Sequence, residues 1–225
     1  MTRESYQRDL ARLIDQTLEM GNKVHASFNM ALKSIHDGDK VLARLLDEQD
    51  DDIDNQYLRI EDHCLDLIAL QQPVASDLRL IASVFKIGTD LERIADLSVN
   101  IAEYCSDSDT FILIERMELI HLGELVGMLI GQSLDAFKAE DIQAAKHVIE
   151  QDKDIDEACL ELEERALRGL IKSEADTHSA SEAEQIAKNA HSIFRAIRDL
   201  ERIGDHAGNV CARLIYWKEA DSQYI

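Results

Sequence analysis

The chain has 225 residues, 45% of them apolar and 31% charged, a globular rather than a disordered composition. One proline and nine glycines over that length leave few breakers, which favours long helices over many short strands. The net charge of −21, from 45 acidic and 24 basic residues, repels nucleic-acid phosphates and anionic lipid heads and suits cations or partners with basic patches.

Apolar residues recur at spacings of three and four almost throughout, which is the helical period. The pattern predicts helices over residues 5–36, 39–71, 74–106, 110–139, 141–173 and 180–219. The breaks have chemical causes. Gly38 can take a left-handed stop and Asp39 can cap the second helix. Pro73 suits the first turn of the third helix, residues 106–109 read as a cap or turn cluster, and residues 177–181 as a polar loop. Long helices with short turns make antiparallel bundles. The fold class expected is therefore all-α.

The N-terminus runs straight into a charged amphipathic stretch with no signal-peptide core. No apolar run approaches the ~20 residues of a membrane span, and residues 111–114 are far too short. The four cysteines, Cys64, Cys105, Cys159 and Cys211, form no Cys-x-x-Cys pair and sit in helical apolar patterns. Buried free thiols in a reducing, cytoplasmic compartment are expected.

The chain repeats itself. Residues 48–54, EQDDDID, read like residues 150–156, EQDKDID, at an offset of 102 (48 to 150), which Gly21 and Gly123 share. Residues 90–96, DLERIAD, read like residues 199–205, DLERIGD, at an offset of 109 (90 to 199). The second copy therefore carries about seven extra residues between its second and third helices, and the polar loop at 177–181 is the natural place. Two tandem three-helix bundles follow, 1–108 and 109–225, related by a pseudo-twofold axis.

The repeated signature extends past seven residues. Glu92, Asp96 and Asn100 are spaced i, i+4, i+8, as are Glu201, Asp205 and Asn209. That spacing lines them up on one helix face. Carboxylates and an amide held a turn apart offer hard oxygens to a cation. Like charges at i, i+4 repel on a bare helix, so both copies call for a compensating positive charge. Asp50 and Asp54, and likewise Asp152 and Asp156, are a turn apart on the second helix of each repeat. Ile53 and Ile155 between them face the core, which puts these acids at its edge, whereas Asp51 and Asp52 face water. Acids on a helix edge also form ordinary solvated faces, and Arg93 and Arg202 offer local neutralisation.

Other motifs carry less. Glu118 and His121 make one Glu-x-x-His, where a ferritin-type di-iron bundle needs two. His121 reads as a partly buried helical histidine. His206 follows Asp205, but Leu97 stands at the equivalent place in the first repeat, so His206 reads as structural or as an outer-shell group. No nucleophile elbow, phosphate-binding Gly-rich loop or dinucleotide fingerprint is present. Gly88, Gly204 and Gly208 lie inside helices, where glycine costs about 1 kcal/mol against alanine; close packing beside the signature would offset that. Gly123, Gly127 and Gly131 form a row that lets another helix approach, within the bundle or across a subunit interface.

The paired Asp-Leu-Glu-Arg-Ile-x-Asp segments, each on the third helix of a three-helix repeat, resemble those of the PhoU family, and the resemblance runs from the first helix through Tyr216 and Trp217. It implies two similar three-helix bundles and a cytoplasmic, non-enzymatic accessory protein of the high-affinity phosphate transporter. It further implies a negative regulator of the phosphate-starvation response that couples the transporter's ATPase subunit to the sensor histidine kinase, with homodimers common. Metal ions, whether iron, zinc, manganese or magnesium, are implied at the Glu/Asp-x-x-x-Asp motifs, which map here onto Glu92 with Asp96 and Glu201 with Asp205. Two readings stay open beside it: a metal-free acidic scaffold that recruits basic partners, and a carboxylate-bridged metalloenzyme. The missing histidine pair counts against the enzyme. The phosphate expectation comes from the resemblance alone.

Overall fold

The computed structural model describes residues 3–104, 118–175 and 179–225, and among these it has six helices. They are α1 (Arg3–Asp37), α2 (Lys40–Gln71), α3 (Ala75–Tyr104), α4 (Leu119–Ala139), α5 (Ile142–Ala175) and α6 (Ala180–Glu219).

Local chemistry sets the ends. Gly38 stops α1 at φ 64°, and the Asp39 carboxylate accepts from the backbone N–H groups of Val41 (2.8 Å) and Leu42 (3.3 Å) to start α2. Asp141 does the same for α5 through Gln143 and Ala144, and the Ser179 hydroxyl caps α6 by accepting from the Glu182 N–H. Two expectations need correction. Pro73 lies in the link before α3 rather than in its first turn; Gln72 ahead of it ends α2 in the left-handed conformation at φ 48°, ψ 55°. The fourth helix is shorter than 110–139, because Glu118 sits at φ 59° and the helix begins at Leu119. The expected cap cluster at 106–109, the apolar residues 111–114, Cys105 and residues 177 and 178 of the expected polar loop lie outside the described residues.

Helices α1, α2 and α3 pack on one another; α4, α5 and α6 repeat the arrangement. The bundles join along two seams, α1 against α4 and α3 against α6. The first seam displays the pseudo-twofold directly. A Cβ on Gly21 would collide with Leu134, and a Cβ on Gly123 would collide with Leu32. These contacts are each other's images at the 102-residue offset (21 to 123, 32 to 134). Gly127 lies against Phe28 and Gly131 against His25. The glycine row of α4 thus serves packing inside the chain, against α1.

One buried cluster crosses both seams, from Leu10 in α1 to Trp217 in α6. Phe28, Leu91, Ile130, Leu200 and Ile203 within it are fully sequestered. Burial of each such side chain stabilises by about 1.5–3 kcal/mol. Cys64, Cys159 and Cys211 belong to this core as free thiols, and burial pushes each up to about 12. Among the described residues no helix is long and apolar enough to cross a membrane.

Candidate metal centres

The acids of the second and third helices of each repeat converge. Ile53, 2% exposed, anchors α2 to the core and so carries Asp50 and Asp54 to the edge where α2 meets α3. There they meet Asp96. One carboxylate oxygen from each of the three lies within 4.8 Å of the others. Ile155, 5% exposed, positions α5 in the same way, and Asp152, Asp156 and Asp205 form the matching set within the same 4.8 Å.

Both clusters hold a carboxylate oxygen with no visible partner. Oδ1 of Asp50 and Oδ1 of Asp152 are buried and accept no hydrogen bond. A buried carboxylate without donors is costly unless protonated or matched by positive charge. Burial first, then the charges of Asp96, Asp54 and Glu92, push Asp50 up to about 6. Burial, then Asp156, Asp205 and Glu201, push Asp152 up to about 7. Asp54 and Asp156 are raised by burial and then by Asp96 and Asp205 respectively. Crowded carboxylates with orphaned oxygens and nearby hard donors fit a divalent cation.

The remaining expected ligands sit around these sets. Glu92 and Glu201 are not among the converged oxygens, yet each is raised by burial and then by cluster aspartates, Asp96 for Glu92 and Asp156 for Glu201. Asn100 is half-buried on α3. Asn209 turns to the α3–α6 seam, where its amide donates to Oδ1 of Asp90 at 3.2 Å. His206 Nδ1 lies 2.9 Å from the same oxygen. The sequence gives His206 a structural or outer-shell place, but its partner Asp90 sits in the other repeat. The available signal was the i, i+3 spacing of His206 and Asn209 on one helix face.

The two centres differ in three ways. Arg93 Nη1 lies 2.8 Å from Asp96 and its Nε 3.4 Å from Glu92, so the first cluster carries its own cation. Arg202, the equivalent residue, lies 3.9 Å from Asp199 instead. On α6, Gly204 and Gly208 leave room for the Asp152 carboxylate, where a Cβ would stand 2.8 Å from Oδ1 and 3.1 Å from Oδ2. Ala95 and Val99 occupy those positions on α3. The close approach expected at these two glycines is thus that of a side chain, while Gly88 faces the Tyr57 ring. Third, Cys159 stands where the first repeat has Tyr57.

The lone Glu-x-x-His plays no part here. Glu118 pairs with Arg165 at 3.0 Å, and His121 lies 3.6 Å from Glu124. The His121 side chain is 70% exposed, against the partial burial expected.

Comparison with known proteins places this architecture. Residues 17–105 and 119–214 match the model of the PhoU domain. The chain is 33% identical over 219 residues to the phosphate-specific transport system accessory protein PhoU homolog of Pseudomonas aeruginosa, covering 95% of this chain and 85% of that one. It is 35% identical to PhoU homolog 1 of Thermotoga maritima, over 94% and 88% of the two chains. The crystal structure of PhoU from Pseudomonas aeruginosa superposes with a TM-score of 0.81 at 30% identity, over 96% of this chain and 100% of the other. That of the phosphate transport system regulatory protein PhoU from Streptococcus pneumoniae gives 0.81 at 26%, over 96% and 98%. These relatives are accessory and regulatory proteins rather than enzymes, as the non-enzymatic reading expects. With both repeats matched and relatives above 30% identity aligned over most of their length, the chain belongs to the PhoU domain family.

Proposed function

We propose that this chain is a cytoplasmic regulator of phosphate uptake whose two aspartate clusters are divalent-metal centres. The observation that carries the metal reading is the pair of converged triads, each with a buried, unpartnered carboxylate oxygen. Asp50, Asp54 and Asp96 would hold the cation of the repeat 1–108, and Asp152, Asp156 and Asp205 that of the repeat 109–225. Glu92, Asn100 and Glu201 stand in reserve as ligands or as hydrogen-bond partners of ligands, whereas the Asn209 amide is taken up by Asp90. A bound cation supplies positive charge that offsets carboxylate repulsion. Oxygen donors suit magnesium and manganese first, with iron and zinc also able to bind.

The regulatory role rests on the names of the relatives, which tie them to phosphate-specific transport. On this reading the chain docks on the ATPase subunit of the phosphate transporter and on the phosphate-sensing histidine kinase. It keeps the kinase quiet when phosphate is plentiful, and works as a homodimer. Long rigid helices with acidic rows give broad surfaces for such docking. Deleting the gene should derepress the starvation response in phosphate-replete medium. A reporter that stays repressed in the deletion strain would sink the regulatory role.

The metal reading has its own test. Elemental analysis of purified untagged protein should find bound metal that falls in the Asp152→Asn/Asp205→Asn variant. Equal metal content in the two samples would exclude the second cluster. One observation favours a metal-free docking role for the first acidic row alone: Arg93 already neutralises part of it.

A further inference from the structure

The two clusters are built from equivalent residues yet seated differently. Asp152 rests in a trough on α6. The trough exists because residues 204 and 208 have no side chain: a Cβ at Gly204 would stand 2.8 Å from Oδ1, closer than real Cβ contacts come, and one at Gly208 would stand 3.1 Å from Oδ2. The first repeat has no such trough, since Ala95 and Val99 fill the corresponding positions on α3. The positive side chains differ too. Arg93 holds Asp96 at 2.8 Å, whereas Arg202 turns to Asp199 and leaves the Asp205 side of its cluster.

We infer that Gly204 and Gly208 are positioning residues that seat the Asp152 carboxylate against α6 and make the second cluster the tighter cation site of the two. The inference rests on the metal-centre reading above. It follows from two physical points. A carboxylate sunk against a helix loses fewer degrees of freedom when a cation arrives, because packing already fixes it. A cation entering the first cluster must also compete with the Arg93 guanidinium, and one entering the second meets no such rival from Arg202. Glycine in the middle of a long helix is unfavourable by about 1 kcal/mol relative to alanine, so two glycines at this spot cost stability that the seat must repay in function.

The test is a manganese(II) titration of metal-stripped protein at about pH 8, read by electron paramagnetic resonance of free ion and by calorimetry. Wild-type protein should show two classes of site. Gly204→Ala should weaken the tighter class by about tenfold or more, the size of effect typical when the support of a ligand is altered. Asp96→Asn should remove the weaker class and leave the tighter one. Thermal melting of the metal-free Gly204→Ala protein separates misfolding from a local effect; the milder Gly208→Ala variant should lie between it and wild type. An unchanged tight class in both glycine variants would overturn the inference, as would loss of the tight class in Asp96→Asn. Failure of wild-type protein to bind manganese(II) at all would remove the metal-centre reading and this inference with it. Two classes of site that ignore Gly204 would remove the inference alone.

Discussion

A Cβ added to Gly204 would stand 2.8 Å from Oδ1 of Asp152, an oxygen that is buried and accepts no hydrogen bond. The glycine thus makes space for a carboxylate oxygen that no described residue satisfies. Without a cation, charging Asp152 works against folding. Its folded value is near 7 and its ordinary value 3.8. The folded state therefore holds a proton that the unfolded state has lost, and stability falls as pH rises through that window. Metal-free protein should melt higher at about pH 5 than at about pH 8, and Asp152→Asn should flatten much of that slope and raise the pH 8 melting temperature by a few degrees. Metal-loaded protein should show the opposite trend, because protons compete for the ligands. A metal-free melting profile identical in the wild type and Asp152→Asn would show that the carboxylate is not under strain.

Much of this was legible in the sequence, for physical reasons. Asp50, Ile53 and Asp54 encode their placement, since an isoleucine committed to the core fixes where its neighbours at i−3 and i+1 must point. The duplicated signature encodes the repeat. Which acids meet is a different matter. Helical spacing puts Glu92, Asp96 and Asn100 in one row, but convergence depends on how α2 crosses α3, and that angle brings in Asp96 with Asp50 and Asp54 rather than Glu92. The rotamer of a long arginine is equally invisible in sequence: Arg93 and Arg202 hold the same place in the two motifs and choose different partners. Pro73 misled because a proline suits the first turn of a helix and the link before it almost equally.

The glycine seam between α1 and α4 predicts a matched pair of defects. Gly21 and Gly123 admit Leu134 and Leu32 so closely that any side chain must displace them. Gly21→Val and Gly123→Val should each destabilise by about 1–3 kcal/mol, the usual range for overpacking. Pseudo-symmetry requires the two costs to be similar. Leu32→Ala should partly rescue Gly123→Val and leave Gly21→Val unrescued. Urea unfolding of the four proteins measures this, and rescue of the wrong partner would contradict the seam described here.

The α3–α6 seam, apolar at its centre, also carries a polar contact. Oδ1 of Asp90 receives His206 at 2.9 Å and the Asn209 amide at 3.2 Å, with the Asp90 side chain only 14% exposed. His206→Leu, which restores the first repeat's residue, should leave that carboxylate under-satisfied and cost about 1–3 kcal/mol. A double-mutant cycle with Asp90→Asn should give a coupling energy above about 0.5 kcal/mol. Additive effects would mean that the two groups do not interact in solution.

Arg93 supplies the last prediction. It bridges Glu92 and Asp96, and its side chain is 52% exposed, so the pairing is partly screened. Two effects then oppose each other in Arg93→Gln. The metal-free protein loses a neutralising charge beside Asp96 and Glu92, which sharpens carboxylate repulsion and should lower its melting temperature slightly. The first cluster loses a rival to the incoming cation and gains a free Asp96 oxygen. Exposed ion pairs contribute about 0.2–1 kcal/mol, so manganese(II) affinity at the first cluster should rise by a factor of about 1.4 to 5. The second cluster, whose Arg202 faces Asp199, should not change when Arg202→Gln is made. Affinity that falls in Arg93→Gln would mean that the arginine organises the first cluster instead of competing for it, and the acidic row there would then be a docking face built around a guanidinium.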